Sequence, residues 1–499
     1  MNTNRKMPVV WMFAAVLACS QARAASWHAD GTGRYPDLKP PIEWSARTGS
    51  PSKNVIWRRP MPSASNSSPV IMGDRVFVCS DKYMLYCLNS ADGSILWQRE
   101  NGMMEALTAN EKAELAKVRE QDGPILKAVE DLQKQREVLQ KESEKASPDR
   151  RKEIGVALQG VLAEITRIEK ENETLLKVSR AYTAKFSRRN LCCGSDPICK
   201  ADCKLGDAGY STPTPASDGK NVYVLYHNGV AAAYDPDGNR KWIRYVERSA
   251  GRYCQVASPL IIGDRLIVHL TGLTALNAAT GETIWQTEAD IGRLGNGSPS
   301  LVHIGDKDFV VTIAGDVVNV RDGRKCRFDA PPKMRSCWNS PLVDKDTIYF
   351  NWASPTWAGR LTLDSKGEIT TTVLWTQPKL TDIFYTTPVV VDGLLYTVEE
   401  HGTLRVLDAA NGQIVYEKPL GFNDVYPSLV VAGGYIYASN NSVVVIKPGR
   451  EYQEVARNPT DGFQTTPVFH NNRLYIRTRK DVICIGENQN GHTTNQEQP

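Results

Sequence analysis

The sequence predicts an all-β fold, an eight-bladed β-propeller with an inserted antiparallel α-helical hairpin of the coiled-coil type. Three observations lead to this prediction. A Ser/Thr-Pro pair opens a unit of four short strands, and the unit recurs about every 40 residues. In four of the units a turn glycine precedes a large aromatic residue by four positions. One connection is far longer than the others and has helical periodicity.

The openings set the period of the repeat. Their prolines lie 39 to 47 residues apart, except for one step of 144 residues that contains the insertion. The openings are Ser68-Pro69, Thr212-Pro213, Ser258-Pro259, Ser298-Pro299, Ser340-Pro341, Thr387-Pro388, the variant Tyr426-Pro427-Ser428, and Thr466-Pro467.

The aromatic residue of the fourth strand is expected to dock on the ring as a core residue, because a large ring buries much apolar surface. Blade 4 keeps Asp322-Gly323 but has Arg327 at the aromatic position, which predicts weaker docking there. The glycine and aromatic pairs are Gly93 with Trp97, Gly238 with Trp242, Gly281 with Trp285, and Gly412 with Tyr416.

The eighth unit ends after its third strand, at residues 481–485. Residues 54–60 offer the missing fourth strand, since Trp57 precedes Trp97 by 40 positions. We therefore expect the N-terminal strand to close the last blade, so that no sheet edge is left open.

These motifs resemble a known family. The motif that runs from Ala278 through Thr280-Gly281 to Trp285 is similar to the repeat of PQQ-type, or quinoprotein-like, eight-bladed propellers. The segment from Trp44 to Val70 resembles the start of exported bacterial members. The family holds quinone-dependent dehydrogenases and also cofactor-free proteins of the BamB type, which are outer-membrane assembly lipoproteins. The resemblance implies the fold and leaves the chemistry open.

The N-terminus predicts export. Residues 1–24 read as a signal peptide with a basic start, an apolar run and a cleavage site after Ala24. The alternative is a lipobox with Cys19 lipidated, which is the only route to a membrane anchor that we predict. Both place the chain in the periplasm or cell envelope. The formal charge of +4 falls to about +1 without the leader's three basic residues, which indicates no nucleic-acid partner.

The predicted division of the chain follows from these features. Its segments are a signal peptide at 1–24, an N-terminal segment with closing strand and blade 1 at 25–104, a helical hairpin at 105–185, a cysteine-rich loop at 186–209, blades 2–8 at 210–487, and a disordered tail at 488–499.

The hairpin is predicted from apolar residues that alternate at three- and four-residue spacing. Ser147 suits the N-cap and Pro148 the first position of the second helix. Residues 122–124, Asp-Gly-Pro, are expected to kink or shorten the first helix. A second helix of about 30 residues would project roughly 45 Å. Its charged outer positions are typical of a face that contacts only solvent. The alternative is that the long projection presents a surface to a partner protein.

Four cysteines follow the hairpin within twelve residues, and three interpretations remain open. In an exported chain they favour disulfides. A zinc site and a redox role, with adjacent cysteines like the vicinal disulfide of some quinoprotein dehydrogenases, are the alternatives. No CxxCH motif for haem attachment is present. Cys79 and Cys87 are predicted either to form a cross-strand disulfide or to remain two buried thiols. The cluster consists of Cys192, Cys193, Cys199 and Cys203.

Loops that join successive blades are expected to gather polar and aromatic residues on one face near the axis. These residues either form a binding funnel or satisfy backbone groups at the crowded centre of the ring. The candidates are Asn66, Arg252, Gln255, Asn296, Trp338, Asn339, Tyr385, Glu399, His401, Asp424, Tyr426 and Gln464.

The sequence contains no GxSxG, HExxH, P-loop or GxGxxG motif, so we assign no catalytic residue and no metal ligand. The favoured hypothesis is a non-enzymatic scaffold that binds protein partners through the hairpin or the propeller face and needs no cofactor. The alternatives are a dehydrogenase that uses PQQ and Ca²⁺, and a propeller that binds carbohydrate or peptide. In the dehydrogenase, Glu399, Asn423, Asp424 and Trp338 are the available ligand and floor residues, although they match no enzyme motif.

Overall fold

A computed structural model describes residues 32–81, 83–177, 211–247, 257–289, 297–326, 339–351, 355–378, 380 and 383–487. These residues form eight separate sheets, and the four strands of each blade are antiparallel. Each sheet is one blade, so the prediction of an eight-bladed propeller is confirmed.

The insertion lies between the first and second of the first four blades. Blade 1 consists of Val70–Met72, Arg75–Ser80, Met84–Asn89 and Ile95–Glu100; blade 2 of Ala216–Ser217, Val222–Leu225, Val230–Tyr234 and Arg240–Tyr245; blade 3 of Leu260–Ile262, Arg265–His269, Leu273–Asn277 and Thr283–Thr287; and blade 4 of Ser300–Ile304, Lys307–Val311, Val317–Asn319 and Lys325–Cys326.

The last four blades return the chain to its start. Blade 5 consists of Leu342–Asp344, Thr347–Phe350, Thr356–Leu363 and Ile369–Gln377; blade 6 of Val389–Val391, Leu394–Val398, Thr403–Asp408 and Ile414–Pro419; blade 7 of Val430–Ala432, Tyr435–Ser439, Ser442–Lys447 and Gln453–Pro459; and blade 8 of Val468–His470, Arg473–Arg477, Asp481–Ile485 and Val55–Pro60.

The ring is closed by strands from both ends of the chain. Val55–Pro60 pairs antiparallel with Asp481–Ile485 and forms the outer strand of blade 8. Within every blade the strands alternate in direction. The loops between blades therefore lie on the same side of the ring as the turns between second and third strands, and we call this side the loop face. The helical insertion joins blade 1 to blade 2 and leaves from the loop face.

The core lies between blades, where tryptophans of the fourth strand dock on the next blade. In five junctions of the described chain, the indole lies against a turn glycine of the next blade and donates its N–H to a carbonyl there at 2.8–3.0 Å. A β-bulge precedes each of these tryptophans. The docked pairs are Trp57 on Gly93, Trp97 on Gly238, Trp242 on Gly281, Trp285 on Gly323, and Trp375 on Gly412.

A small residue on the third strand makes room for each docked tryptophan. The register places it directly opposite the indole, and it is either alanine or cysteine. The pairs are Cys484 with Trp57, Cys87 with Trp97, Ala233 with Trp242, Ala275 with Trp285, and Ala358 with Trp375.

The junction of blades 4 and 5 is built differently. Arg327, for which we predicted weaker docking, lies outside the described residues. Lys307 donates to the carbonyl of Gly367 at 3.1 Å, and Arg324 forms a salt bridge with Glu368 at 2.7 Å. Charged contacts thus join these blades at the level where other junctions hold an indole.

The hydroxyls at the blade openings form a belt around the axis. The backbone N–H of one blade's Ser or Thr donates to the side-chain hydroxyl of the next blade's residue at 2.8–3.1 Å, and all of these residues are buried. One opening differs from the prediction. Blade 2 opens with Thr214-Pro215 rather than Thr212-Pro213, because Thr214 supplies the belt hydroxyl. In blade 7, Ser428 of the predicted variant Tyr426-Pro427-Ser428 supplies it.

The N-terminal segment does more than close blade 8. Arg34–Tyr35 pairs in parallel with the first strand of blade 7 and extends that sheet toward the axis. Further along, the Trp44 backbone N–H donates to Asn458 Oδ1 at 2.7 Å. The segment thus contacts blade 7 at its inner and outer edges. A two-residue strand has no alternating pattern, so the sequence held no sign of this pairing.

The insertion contains helix α1 (Met103–Ala106), helix α2 (Ala109–Lys145) and helix α3 (Pro148–Glu171). Helices α2 and α3 pack through Val129, Val161 and Ile165. Of the two outcomes expected for residues 122–124, shortening of the first helix is wrong, because α2 continues through Pro124, and a kink stays a prediction. Packing against α3 outweighs one lost backbone hydrogen bond in a helix of 37 residues. At 1.5 Å per residue, the 24 residues of α3 span about 36 Å.

Ser147 and Pro148 occupy the predicted N-cap and first positions of α3, although the Ser147 side chain makes no capping hydrogen bond. No helix of the described chain is long and apolar enough to cross a membrane.

Cys79 and Cys87 are free, buried thiols rather than a disulfide. The register explains why, since Cys79 lies opposite Leu85 and Cys87 lies opposite Phe77. The predicted cluster at Cys192, Cys193, Cys199 and Cys203 lies outside the described residues.

Candidate functional site

The candidate residues of the loop face divide into four groups. Four of them, Arg252, Gln255, Asn296 and Trp338, lie outside the described residues. Asn339 and Glu399 have structural roles in the fold, and Asn66 and Gln464 lie apart on other loops. The fourth group comes together between blades 6 and 7, and its members are Tyr385, His401, Asp424 and Tyr426.

Asn339 has a structural role. Its side-chain amide donates to the carbonyls of Asn351 and Thr386 at 2.8 Å each, and the residue is buried. Thr386 and Thr465 precede their belt residues in the same way, and each donates to the last carbonyl of its blade's second strand at 2.7 Å. At these positions polar side chains before Ser/Thr-Pro satisfy neighbouring backbone groups, which was one of the two interpretations of the loop face.

Glu399 also holds a turn together. Its carboxylate accepts backbone N–H groups of His401 and Thr403 at 2.8 and 2.9 Å, and the residue is 3% exposed. Burial raises the pKa of this carboxyl, but the two hydrogen bonds outweigh burial and leave the pKa below its ordinary value. Both carboxylate oxygens of Glu399 therefore bind backbone groups of its own turn.

Asn66 and Gln464 lie on the loops that enter blades 1 and 8, away from the group between blades 6 and 7. Asn66 is half-buried and Gln464 is exposed.

Between blades 6 and 7, two tyrosines stack beside two carboxylates. The rings of Tyr385 and Tyr426 lie 4.8 Å apart with an interplanar angle of 26°. Glu400 and Asp424 are near enough to raise the pKa of both phenols, after burial, which is the largest cause. His401 Nε2 lies 3.4 Å from Glu400 Oε1. We call these five residues the acidic tyrosine patch.

The blades on either side fix the patch. The backbone N–H of Val425 donates to the Glu400 carbonyl at 3.1 Å, which ties the loop before blade 7 to a turn of blade 6. The Glu400 N–H donates to Ile383 O at 2.9 Å, which ties the same turn to the loop before blade 6. Asp424 has a left-handed φ of +53°, which aspartate tolerates better than most residues. The sequence placed both tyrosines on this face but gave no sign of their stacking.

The helical insertion is anchored on the ring at its root. Arg240 of blade 2 donates to Glu105 Oε2 in α1, to the Glu100 carbonyl and to the Tyr234 hydroxyl, each at 3.0 Å. The Tyr234 hydroxyl in turn donates to Asn101 Oδ1 at 2.6 Å. Asn101 is completely buried. The exit of the hairpin from blade 1 is therefore fixed against blade 2.

Beyond its root, the hairpin exposes apolar side chains to solvent. They lie on both long helices and are 44–72% exposed. They are Leu126, Val138, Val156 and Leu162. Among the described residues, no group of three or more histidine, cysteine, aspartate or glutamate side chains is arranged to hold a metal ion.

Comparison with known proteins supports the architecture. The family model described as outer membrane protein assembly factor BamB matches residues 42–128, 203–366 and 362–496. The chain belongs to the BamB family. The matched ranges omit residues 129–202, which include the end of α2, all of α3 and the cysteine-rich loop up to residue 202, so this part of the insertion is an addition to the BamB-family ring.

Two curated relatives are BamB proteins, each named outer membrane protein assembly factor. The protein of Yersinia pestis is 23% identical over 235 residues, which cover 46% of this chain and 49% of the relative. The protein of Moranella endobia (strain PCIT) is 22% identical over 310 residues, which cover 56% of this chain and 73% of the relative. This chain thus spans about half the length of the first relative.

A solved structure outside the BamB family is also similar. The quinohemoprotein alcohol dehydrogenase from Comamonas testosteroni matches with a TM-score of 0.52 and 9% identity, over 95% of this chain and 82% of that protein. At this identity the likeness shows the propeller fold alone.

Proposed function

We propose that this chain is an exported, non-enzymatic scaffold that binds protein partners during assembly of the bacterial outer membrane. Membership of the BamB family and the names of both curated relatives support the process. The predicted signal peptide supports a location in the periplasm or cell envelope, with a membrane anchor only if Cys19 is lipidated.

The observation that carries the proposal is the anchored hairpin on a closed ring. Arg240 donates three hydrogen bonds at the root of the hairpin, which we call the arm. A two-residue turn joins its two long helices. Exposed apolar residues such as Val138 and Val156 lie on an otherwise charged surface. An arm held at a fixed exit and bearing apolar side chains is suited to contact a partner, since apolar surface gains free energy when a partner covers it.

We further propose that the scaffold works without a bound quinone or Ca²⁺. The engaged carboxylate of Glu399 supports this, as does the strand Arg34–Tyr35, which extends blade 7 toward the axis. Asp424 lies near the stacked tyrosines, where it raises the pKa of Tyr426.

The test is a shortened arm in the full chain. A Gly-Ser linker replaces residues 133–160, which keeps the root and the packed residues Val129 and Val161. Cross-linking in envelope extract should then capture fewer partners than the wild type, while the melting temperature of the ring is retained. Equal capture by a folded, shortened variant would refute the arm as the contact surface.

Point variants separate the arm surface from the ring surface. Val138→Ser combined with Val156→Ser should lower partner capture. The control is Ile95→Ser with Ile284→Ser, because these residues are exposed apolar positions on outer strands of the ring, at 41% and 40%. Loss of capture in the control alone would move the contact from the arm to the rim of the propeller.

A further inference from the structure

The acidic tyrosine patch has features that its structural contacts do not use. Tyr426 leaves 39% of its surface exposed, although it stacks on Tyr385. An exposed aromatic ring stacked on a partly buried one presents apolar surface that a partner can remove from water. Tyrosine is also enriched at protein–protein interfaces.

The charge of the patch is uncompensated within the described chain. Glu400 contacts His401 at 3.4 Å, and the His401 side chain is 72% exposed. No salt bridge between described residues pairs Glu400 or Asp424 with lysine or arginine. By contrast, Asp461 on the loop before blade 8 forms a salt bridge with Arg58 at 3.0 Å. The patch therefore combines an exposed aromatic face with negative charge that attracts a cation.

We propose that the acidic tyrosine patch binds a basic segment of a partner protein, with an arginine side chain on the Tyr426 ring and its guanidinium directed at Glu400 and Asp424. The inference rests on the proposed function in that the ligand is a protein. It adds a second contact surface, on blades 6 and 7, to the arm that leaves between blades 1 and 2.

Arginine fits this surface better than lysine. The planar guanidinium stacks on an aromatic face and is more weakly hydrated than an ammonium group, so it loses less when the patch is covered. Its fork of donors can also reach two carboxylates at once. Tyrosine is ordinarily neutral at physiological pH, and the raised pKa of both phenols places them further from ionisation, so they add no negative charge of their own to the recognition.

The direct test uses a fluorescein-labelled peptide, Gly-Ser-Arg-Gly-Arg-Ser-Gly, with the full chain at low salt. A peptide with citrulline in place of both arginines has the same shape without the charge. The arginine peptide should bind at least about fivefold more tightly than the citrulline peptide, and binding should weaken as salt is raised. Equal binding of the two peptides, or no binding of the arginine peptide, would overturn the proposal.

Variants locate the peptide on the protein. Asp424→Asn should weaken binding of the arginine peptide about fivefold or more, because asparagine tolerates the left-handed φ but carries no charge. Tyr426→Ala should do the same, and Tyr426→Phe should bind nearly as well as the wild type. The matched control is Asp237→Asn, which removes an exposed carboxylate from the opposite side of the ring. An equal effect of Asp237→Asn and Asp424→Asn would show attraction by net charge alone and refute the patch.

The two proposals fail separately. If shortening the arm abolishes partner capture but the arginine peptide does not bind, the scaffold function stands and the patch is excluded. If the peptide binds through Asp424 and Tyr426 while the shortened arm captures partners normally, the patch stands and the arm is not the contact surface.

Discussion

The indole of Trp97 lies directly on Gly238 of the following blade. A Cβ atom at Gly238 would lie 2.8 Å from Trp97 Cδ2, and the glycine has a φ of +82°. The indole N–H donates to Pro236 O in the same turn at 2.8 Å. One glycine thus allows both the turn and the close approach of the ring that joins blades 1 and 2.

Gly238→Ala should destabilise the ring by about 2–4 kcal/mol, because it adds steric overlap with Trp97 to an unfavourable φ. Gly434→Ala is the matched control, since Gly434 has a φ of +81° and nothing within 4 Å of its Cβ direction. The control should lose only about 1 kcal/mol. Thermal unfolding of both variants measures the difference. Equal losses would mean that backbone strain, rather than indole docking, dictates glycine here.

Ser428→Ala should destabilise the belt by about 1–3 kcal/mol, because the buried N–H of Thr387 loses its acceptor. Ser428→Thr should retain most of the stability, since threonine supplies the same hydroxyl in blades 2 and 8. Urea unfolding followed by tryptophan fluorescence distinguishes the two. If alanine were tolerated as well as threonine, the belt would be a consequence of packing and not a source of stability.

Cys87 and Cys484 should be replaceable by alanine without loss of stability, because alanine stands opposite the docked tryptophan in three other blades. Burial raises the pKa of both thiols to about 12, so they should also resist alkylation in the folded protein. Melting curves of the double alanine variant and mass spectrometry after iodoacetamide treatment test both points. Rapid alkylation of Cys87 would contradict the buried position.

Asp461→Asn should weaken the N-terminal segment at neutral pH by about 1 kcal/mol, because Asp461 accepts from Thr48 and Arg58. Burial raises the pKa of Asp461, but these contacts outweigh it and hold the pKa below its usual value. Its stabilising contribution is therefore complete above about pH 4 and is lost as the pH falls through the lowered pKa.

Urea midpoints of the wild type and Asp461→Asn should consequently differ at pH 7 and converge toward pH 3. Asp237→Asn, on the opposite side of the ring, serves as the control for removing one carboxylate. A difference that persists unchanged into acid would show that the asparagine side chain disturbs packing rather than removing a charge interaction.

Much of the ring is readable from the sequence because its contacts repeat. The sequence spacing located the glycine and the tryptophan of each repeat, but the structure docks a tryptophan on the glycine of the next blade, as Trp242 on Gly281 illustrates. The opening of blade 2 was misplaced because Thr212-Pro213 and Thr214-Pro215 are indistinguishable as dipeptides. Only the belt bond from Thr214 to Ser258 selects between them.

The candidate site was less readable because its contacts do not repeat. Tyr385 and Tyr426 belong to different loops, and their stacking depends on how two blades sit side by side. Glu399 and Glu400 are neighbours in sequence with opposite roles, since the first holds its own turn and the second faces the tyrosines. The sequence alone does not indicate which of two adjacent carboxylates accepts the backbone N–H groups of the turn.

PQQ with Ca²⁺ should leave the melting temperature of the mature protein unchanged. Glu399, one of the carboxylates that the sequence offers as a Ca²⁺ ligand, already accepts two backbone N–H groups. A metal ion at Glu399 would have to compete with these hydrogen bonds, which would leave two backbone donors unpaired in a buried turn. Differential scanning fluorimetry is sensitive enough for the test, because a ligand at 100 times its Kd stabilises by about 2.7 kcal/mol. Ca²⁺ alone and an apo quinoprotein dehydrogenase serve as negative and positive controls. A clear upward shift with PQQ and Ca²⁺ together, absent with Ca²⁺ alone, would show that the ring retains a quinone site and would contradict a cofactor-free scaffold.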